Sequence, residues 1–171
     1  FFGKGYFNKN KLLDYIKRYN SLNSNEIEEN YFSINFSETY FNKSNCKKIG
    51  FIREDIENEL KNNNINKREY YILITSLIYA IDKIANTVGH YDAYRENKED
   101  LNKKFELIFP HIKEYKEEIK IYREDANELV KKINADLIYI DPPYNSRQYC
   151  DMYHLLENLA EWKKPNVYFK A

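Results

Sequence analysis

The sequence has few cysteines, no excess of charge and no long apolar run. Its two cysteines, Cys46 and Cys150, lie far apart, so neither a disulfide framework nor a metal site is expected. Basic and acidic residues both number 27, which excludes an overall electrostatic attraction to nucleic acid or membranes. No stretch approaches the roughly 18 apolar residues of a membrane span, and the N-terminus lacks a targeting pattern. We therefore expect a cytoplasmic protein with reduced thiols.

Aromatic residues are abundant in contrast, with 17 tyrosines and 10 phenylalanines. Such rings could stack on nucleic-acid bases, or they could pack a core that is poor in leucine. The length of 171 residues fits one domain, or a catalytic piece joined to an insert.

The first hundred residues show mainly helical periodicity. Apolar residues recur three or four apart from Ser44, a predicted N-cap, to Leu60. An asparagine-rich break follows, and a second apolar stripe from Lys67 to Val88 predicts another helix, which would pair with the first as an antiparallel hairpin. Near the N-terminus, Leu12 to Ile16 suggests a helix, whereas the alternation over 31–36 favours a strand or an aromatic loop.

The pattern changes after residue 118. Ile119–Tyr122 and Leu137–Ile140 are typical of short strands, while Ala126–Ile133 and Met152–Trp162 are typical of helices. Strands that alternate with helices favour a parallel sheet. The predicted fold class is therefore α/β, with part of a sheet in the C-terminal half and a largely α-helical insert in the N-terminal half.

The second predicted strand ends in the sequence Asp141, Pro142, Pro143 and Tyr144. Prolines fix their own φ and lack an N–H, so this turn is stiff and its carbonyls can face a ligand. The Asp141 carboxylate and the Pro142 carbonyl could accept the two hydrogens of an exocyclic amine such as adenine N6, and Tyr144 could stack on the base. A Pro-Pro turn with a packing tyrosine is the alternative interpretation.

Together with Asn145–Tyr149 and Tyr153–Glu157, this stretch resembles the Dam-like class of DNA adenine-N6 methyltransferases, which includes modification enzymes of restriction systems. The resemblance extends upstream to Tyr40 and to the region 83–94. It implies methyl transfer from S-adenosylmethionine to an adenine flipped out of double-stranded DNA, and a cognate restriction endonuclease as a partner. It also implies a Rossmann-like methyltransferase sheet over 116–171 and a helical target-recognition region over 1–115.

The resemblance assigns roles to single residues. The catalytic set is Asp141, Pro142, Pro143 and Tyr144. Asp125 and Asp141 would hold the cofactor, although Asp125 could instead be a helix N-cap. Residues predicted to contact DNA or the target base are Asn145, Arg147, Gln148, Tyr149, Tyr91 and Tyr94. A surface ion pair for Arg147 and a capping loop with partly buried tyrosines at 91–94 are the structural alternatives.

One part of the family pattern has no clear counterpart. Phe1–Gly5 matches the letters of the family's Phe-x-Gly-x-Gly cofactor loop, but no strand precedes it, so we interpret the match as fortuitous and the chain as an internal or truncated piece. Two rival functions remain open. One is a non-catalytic DNA-binding or assembly fragment, and the other is methylation of an amine in RNA or in a glutamine side chain, where the family counterpart of Asp141 is commonly asparagine.

Overall fold

The computed structural model describes residues 5–96, 101–113, 119–142 and 148–168. Within these ranges the chain forms six α-helices, and Ser24–Glu26 forms a 3₁₀ turn. The helices are α1 (Lys9–Asn20), α2 (Tyr31–Phe36), α3 (Lys43–Lys61), α4 (Lys67–Ile84), α5 (Ala126–Leu129) and α6 (Tyr149–Glu161). In the described part of the chain, no helix is both long and apolar enough to cross a membrane.

Helices α3 and α4 form the predicted antiparallel pair. Their far ends meet where the Asn86 backbone N–H donates to the Tyr40 carbonyl at 2.9 Å. Helix α3 begins two residues earlier than predicted, because Asn42 rather than Ser44 is the N-cap and accepts from the Asn45 N–H at 2.7 Å. Helix α4 ends at Ile84, four residues before the predicted end, since Asn86 is bonded into the Tyr40 segment instead of continuing the helix.

The segment 31–36 is helix α2, so the expectation of a strand or loop is wrong. Asn30 caps this helix through a capping box with Ser33, and the helix buries Phe32 and Phe36, four residues apart on one face. It packs on α3 at Gly50, where a Cβ atom would lie only 1.9 Å from Asn30 Oδ1. The local capping chemistry therefore outweighs a short alternating pattern.

The core lies between α1, α2, α3, α4 and α6. Its members are mostly aliphatic and phenylalanine side chains, fully or almost fully buried, among them Leu12, Phe32, Phe36, Ile49, Ile52, Ile56, Leu73, Leu77, Ile81, Leu155 and Leu159. Helix α6, which follows the predicted catalytic residues, thus belongs to the same core as the N-terminal helices. The division into regions 1–115 and 116–171 stays a prediction.

The predicted α/β class, with a Rossmann-like sheet in the C-terminal half, is wrong for this structure. Across the described ranges, β pairing is limited to two isolated bridges, Ser37–Phe41 and Thr87–Tyr94. Neither predicted strand, Ile119–Tyr122 or Leu137–Ile140, forms a β-bridge among the described residues, and Leu137 and Ile140 are 87% and 77% exposed. A parallel strand needs neighbours that pair its backbone and cover both faces, and the part of the chain that the structure describes gives neither run such neighbours.

Candidate active site

The predicted catalytic residues lie between an exposed run and the start of α6. Asp141 and Pro142 are exposed, directly after the uncovered Leu137–Ile140 run. Pro143, Tyr144, Asn145 and Arg147 lie outside the described residues. Their assigned roles stay predictions.

Gln148 and Tyr149 open helix α6. Gln148 is its N-cap residue but makes no side-chain capping bond, and its Oε1 accepts instead from the Cys150 thiol at 3.5 Å. The Tyr149 ring is 57% exposed and stacks on Tyr153, with the ring centroids 5.9 Å apart. Both side chains are therefore accessible to a ligand that approaches the first turn of α6.

Asp125 caps helix α5. Its Oδ1 accepts from the Asn127 N–H at 2.8 Å and from the Glu128 N–H at 3.3 Å. Asp125 is thus a helix N-cap, and its role in cofactor binding stays a prediction. Within the described ranges, no hydrogen bond links Asp125 to Asp141.

A cleft of about 900 Å³ separates the loop after α4 from the first turns of α6. The loop contributes Asp92, Tyr94 and Glu96, and α6 contributes Cys150, Asp151 and His154; Tyr40, Ala93, Val167 and Tyr168 complete the lining. Among the described residues, the lining combines aromatic rings with three carboxylates and contains no lysine or arginine. It suits an uncharged, hydrogen-bonding planar group better than a phosphate.

Tyr40 is the aromatic centre of this cleft. Its ring lies 5.6 Å from Tyr91, 5.7 Å from Tyr94 and 6.5 Å from His154, measured between ring centroids. The Tyr40 side chain is buried, and burial together with the neighbouring Tyr94 and Asp92 raises the pKa of its phenol above the usual value. The hydroxyl therefore stays protonated and donates to the Tyr91 carbonyl at 2.8 Å.

The two tyrosines predicted to contact DNA have different environments. The Tyr94 ring is 47% exposed and faces the cleft. Tyr91 is 1% exposed, its hydroxyl donates to Asp82 at 3.3 Å, and burial followed by the Asp82 charge raises the pKa of its phenol. In this structure the Tyr91 ring thus offers no free face to a base, whereas the Tyr94 ring does.

Asn86 closes the loop that carries both tyrosines. Its side-chain Nδ2 donates to the Arg95 carbonyl at 2.8 Å and to the Thr39 carbonyl at 3.3 Å. The backbone carbonyl of Asn86 accepts from the Arg95 N–H at 3.2 Å. Asn86 is 1% exposed, and the turn at Gly89 has φ of +104°, a backbone conformation that favours glycine. Sequence reasoning missed this role, although a polar residue just past the end of an apolar helix was a usable signal.

Arg53 holds the far end of α6 against the core. It is fully buried, and its Nε donates to the Leu159 carbonyl at 2.7 Å while its Nη2 donates to the Ala160 carbonyl at 3.3 Å. Glu57 accepts from its Nη1 at 2.9 Å. Because an arginine suits the last carbonyls of a helix, this contact fixes where α6 ends.

Comparisons with known proteins confirm the resemblance to DNA adenine-N6 methyltransferases. The family model of the D12 class N6 adenine-specific DNA methyltransferases matches residues 4–171. The chain is 42% identical over 156 residues to "Modification methylase StsI" of Streptococcus sanguinis, covering 86% of this chain and 23% of that protein. It is 40% identical over 134 residues to "Type II methyltransferase M.FokI" of Planomicrobium okeanokoites, covering 77% of this chain and 21% of that protein.

A third relative, "Type II methyltransferase M.NlaIII" of Neisseria lactamica, is 38% identical over 122 residues, which are 71% of this chain and 36% of that protein. The chain thus spans between about a fifth and two fifths of the length of these relatives. No solved structure matches it. Because the family model covers nearly all of the sequence, the chain belongs to the D12 class of N6 adenine-specific DNA methyltransferases.

Proposed function

We propose that this protein transfers a methyl group from S-adenosylmethionine to adenine N6 in double-stranded DNA, as the modification activity of a restriction-modification system. The observation that carries the proposal is a family match that runs through Asp141–Tyr144 and on through helix α6. The names of the relatives, modification methylases and type II methyltransferases, support the pairing with a cognate endonuclease.

The reaction asks the protein mainly for positioning. The lone pair of adenine N6 is delocalised into the ring, which makes the nitrogen a poor nucleophile. Acceptors that hold both N6 hydrogens favour a tetrahedral nitrogen, whose lone pair can then bond to the methyl carbon. Asp141 and the Pro142 carbonyl are the proposed acceptors, and Tyr144 is the proposed stacking surface. As N6 gains the methyl group it loses one proton, which leaves through Asp141 or to water.

The cofactor, when bound, supplies an electrophilic methyl group on sulfur. The exposed carboxylates of Asp125 and Asp141 have the chemistry to accept hydrogen bonds from its ribose hydroxyls or its adenine amino group. At Asp125 both capping bonds go to Oδ1, so Oδ2 is the oxygen proposed for the ligand. These two acceptors fit the hydroxyl and amino groups of the cofactor.

The target base must leave the duplex before N6 can react, which costs a few kcal/mol. The cleft between the loop after α4 and the start of α6 is the proposed place where the flipped base is received, because it offers Tyr94 for stacking and carboxylates for amino hydrogens. Gln148 and Tyr149, at the first turn of α6, would contact the DNA beside it, and Arg147 is proposed to contact a phosphate.

The test is methyl transfer by the full-length protein from tritiated S-adenosylmethionine to unmethylated DNA, with the product nucleoside identified. We expect N6-methyladenine from the unmutated protein and at least about a 100-fold lower rate from Asp141→Ala. Asp14→Ala, which changes an exposed aspartate on α1, is the matched control and should retain the full rate. DNA binding without methyl transfer would instead support the rival of a non-catalytic DNA-binding module.

A further inference from the structure

The loop after α4 is joined to the first turn of α6 by one short backbone hydrogen bond. The Tyr91 N–H donates to the Met152 carbonyl with the two atoms 2.6 Å apart. On the other side of the same residue, the Tyr91 carbonyl accepts from the Tyr40 hydroxyl at 2.8 Å in a buried setting. The backbone of Tyr91 therefore bridges Tyr40, which precedes α3, and Met152 in α6.

This bond lies next to a break in helix α6. Tyr153 has φ of −125° and ψ of 17°, which is not helical, so the turn Tyr149–Met152 and the remainder of α6 are two pieces joined by a kink. Helix kinks arise at proline, at glycine or serine pairs, at π-bulges, or where a foreign group enters the hydrogen-bond ladder. The sequence of α6 contains neither proline nor glycine. The Tyr91 amide is a group that enters the ladder at this point.

The two pieces of α6 are held in different ways. The second piece buries Leu155 and Leu159 completely and ends at Arg53. The first turn contains no buried residue, and Tyr149 is 57% exposed. The Tyr91 amide, which the Tyr40 hydroxyl in turn orients, links this turn to the loop after α4.

We propose that Tyr40 is a positioning residue for methyl transfer, and this inference rests on the proposed function. Its hydroxyl fixes the Tyr91 peptide, which fixes the first turn of α6. Gln148 and Tyr149, which we propose contact DNA, lie at this turn, so a displacement of the turn moves them relative to the DNA beside the target base. Misplacement by about 1 Å can lower a catalytic rate by as much as about 100-fold.

The two loop tyrosines, Tyr91 and Tyr94, contribute through different groups. The Tyr91 ring is enclosed by Tyr40 and reaches Asp82, and its contribution to the first turn of α6 is made by its backbone. Tyr94, whose ring lies edge-on to Tyr40, keeps an exposed face in the cleft. A change at Tyr40 that spares the ring should therefore affect the placement of α6 more than the packing of the cleft.

The test compares Tyr40→Phe with Tyr70→Phe in the full-length protein. Each substitution removes one hydrogen-bonded hydroxyl and keeps the ring. The Tyr70 hydroxyl is bonded to Arg53 at 2.7 Å and to Glu57 at 3.0 Å, and it is not among the groups that line the cleft. Steady-state methylation gives kcat and KM for DNA, and hydrogen exchange by mass spectrometry reports on the peptide that contains Tyr149–Met152.

We expect Tyr40→Phe to lower kcat about tenfold, because the lost contact displaces Gln148 and Tyr149 and so misaligns the bound DNA. Exchange at Tyr149–Met152 should increase, while exchange in α3 stays unchanged. Tyr70→Phe should leave kcat and this exchange as in the unmutated protein.

Equal losses of kcat in the two variants, or unchanged exchange at Tyr149–Met152 in Tyr40→Phe, would overturn the inference and leave the proposed function standing. An unmutated protein that transfers no methyl group would overturn the proposed function, and the positioning role with it.

Discussion

The helical core and the segment 119–142 are both rich in apolar residues, but only the first buries them. Ile49, Ile52 and Ile56 on α3 are fully buried, whereas Leu137 and Ile140 are 87% and 77% exposed. A helix pairs its own backbone and presents one apolar stripe, so a few helices can enclose a core. A strand depends on neighbours for its backbone bonds and for cover on its faces. Apolar content alone therefore does not decide burial.

Helix α6 shows that position in the sequence does not decide burial either. It follows the exposed segment, yet Leu155 and Leu159 are fully buried against the N-terminal helices. The contrast within the C-terminal third is thus between a self-paired helix and two unpaired runs. Substitutions in these two regions can test the contrast directly.

The largest effect is expected at Arg53, which connects the core to α6. Arg53→Met should lower the free energy of unfolding by about 3–5 kcal/mol, because the buried Leu159 carbonyl loses its donor, and the Ala160 carbonyl and the Glu57 carboxylate each lose a hydrogen bond from the guanidinium. Urea unfolding followed by circular dichroism measures this change.

Arg123→Met is the matched control for this substitution. Arg123 also reaches α6, with Glu157 at 3.2 Å and Glu161 at 3.4 Å, but its side chain is 85% exposed. An exposed ion pair contributes little, so we expect a change within about 0.5 kcal/mol. Similar losses at Arg53 and Arg123 would show that burial does not separate the two contacts.

A leucine-to-alanine pair compares the two regions with identical chemistry. Leu155→Ala should lower the free energy of unfolding by about 2–5 kcal/mol, since it removes buried methyl groups and leaves a cavity. Leu137→Ala should change it by less than about 0.5 kcal/mol, because that side chain is already in contact with water. A loss of several kcal/mol at Leu137 would mean that the 119–142 segment is covered in solution, and the contrast would fail.

A third substitution tests how closely the helices of the core approach. Gly50→Ala places a Cβ atom 1.9 Å from Asn30 Oδ1, so either α2 loses its N-cap or the two helices move apart. We expect a loss of about 2–3 kcal/mol in the free energy of unfolding. Asn58→Ala, at an exposed position of the same helix, should cause no loss, and equal values for the two variants would contradict the close contact.

These contrasts show which parts of the fold could be predicted from the sequence. Helices α3 and α4 repeat their apolar stripes over several turns, so their existence was predictable, whereas six residues of α2 were too short to distinguish helix from strand. The predicted sheet failed because strand pairing depends on partners distant in sequence. Arg53 lies within the apolar stripe of α3, a signal that was available and was not used.

For the candidate site, the sequence indicated residue types and could not indicate their arrangement. The sequence predicted roles in one reaction for Asp141 and for the loop with Tyr91 and Tyr94, and these roles stay predictions. It could not show that one of the two rings is enclosed, because burial of Tyr91 depends on Tyr40 and Asp82, which belong to other elements. Nor could it show the kink at Tyr153, which is associated with a hydrogen bond from a residue about 60 positions away.

The smallest effect on the free energy of unfolding is expected from removing a buried charge, Glu69, in the first turn of α4. The Glu69 side chain is 2% exposed, and this burial disfavours the charged carboxylate. Hydrogen bonds from Lys11 Nζ, the Asn66 N–H and the Asn8 N–H outweigh burial and lower the pKa of Glu69 below its usual value. Since the pKa in the folded state is the lower one, the carboxylate stabilises the fold above its unfolded-state pKa of about 4.3, and this stabilisation is lost as pH falls through the folded-state value.

Glu69→Gln should therefore lower the free energy of unfolding by about 1–2 kcal/mol at pH 7, and the difference from the unmutated protein should shrink as the pH falls below 4. Urea unfolding at several pH values measures both quantities. Glu124→Gln is the control in the exposed segment, where the carboxylate pairs with Lys132 at 2.6 Å, and it should change the free energy by less than about 0.5 kcal/mol. A difference at Glu69 that stayed constant down to pH 3 would show that the buried charge does not stabilise the core, and that shape alone distinguishes it from the exposed segment.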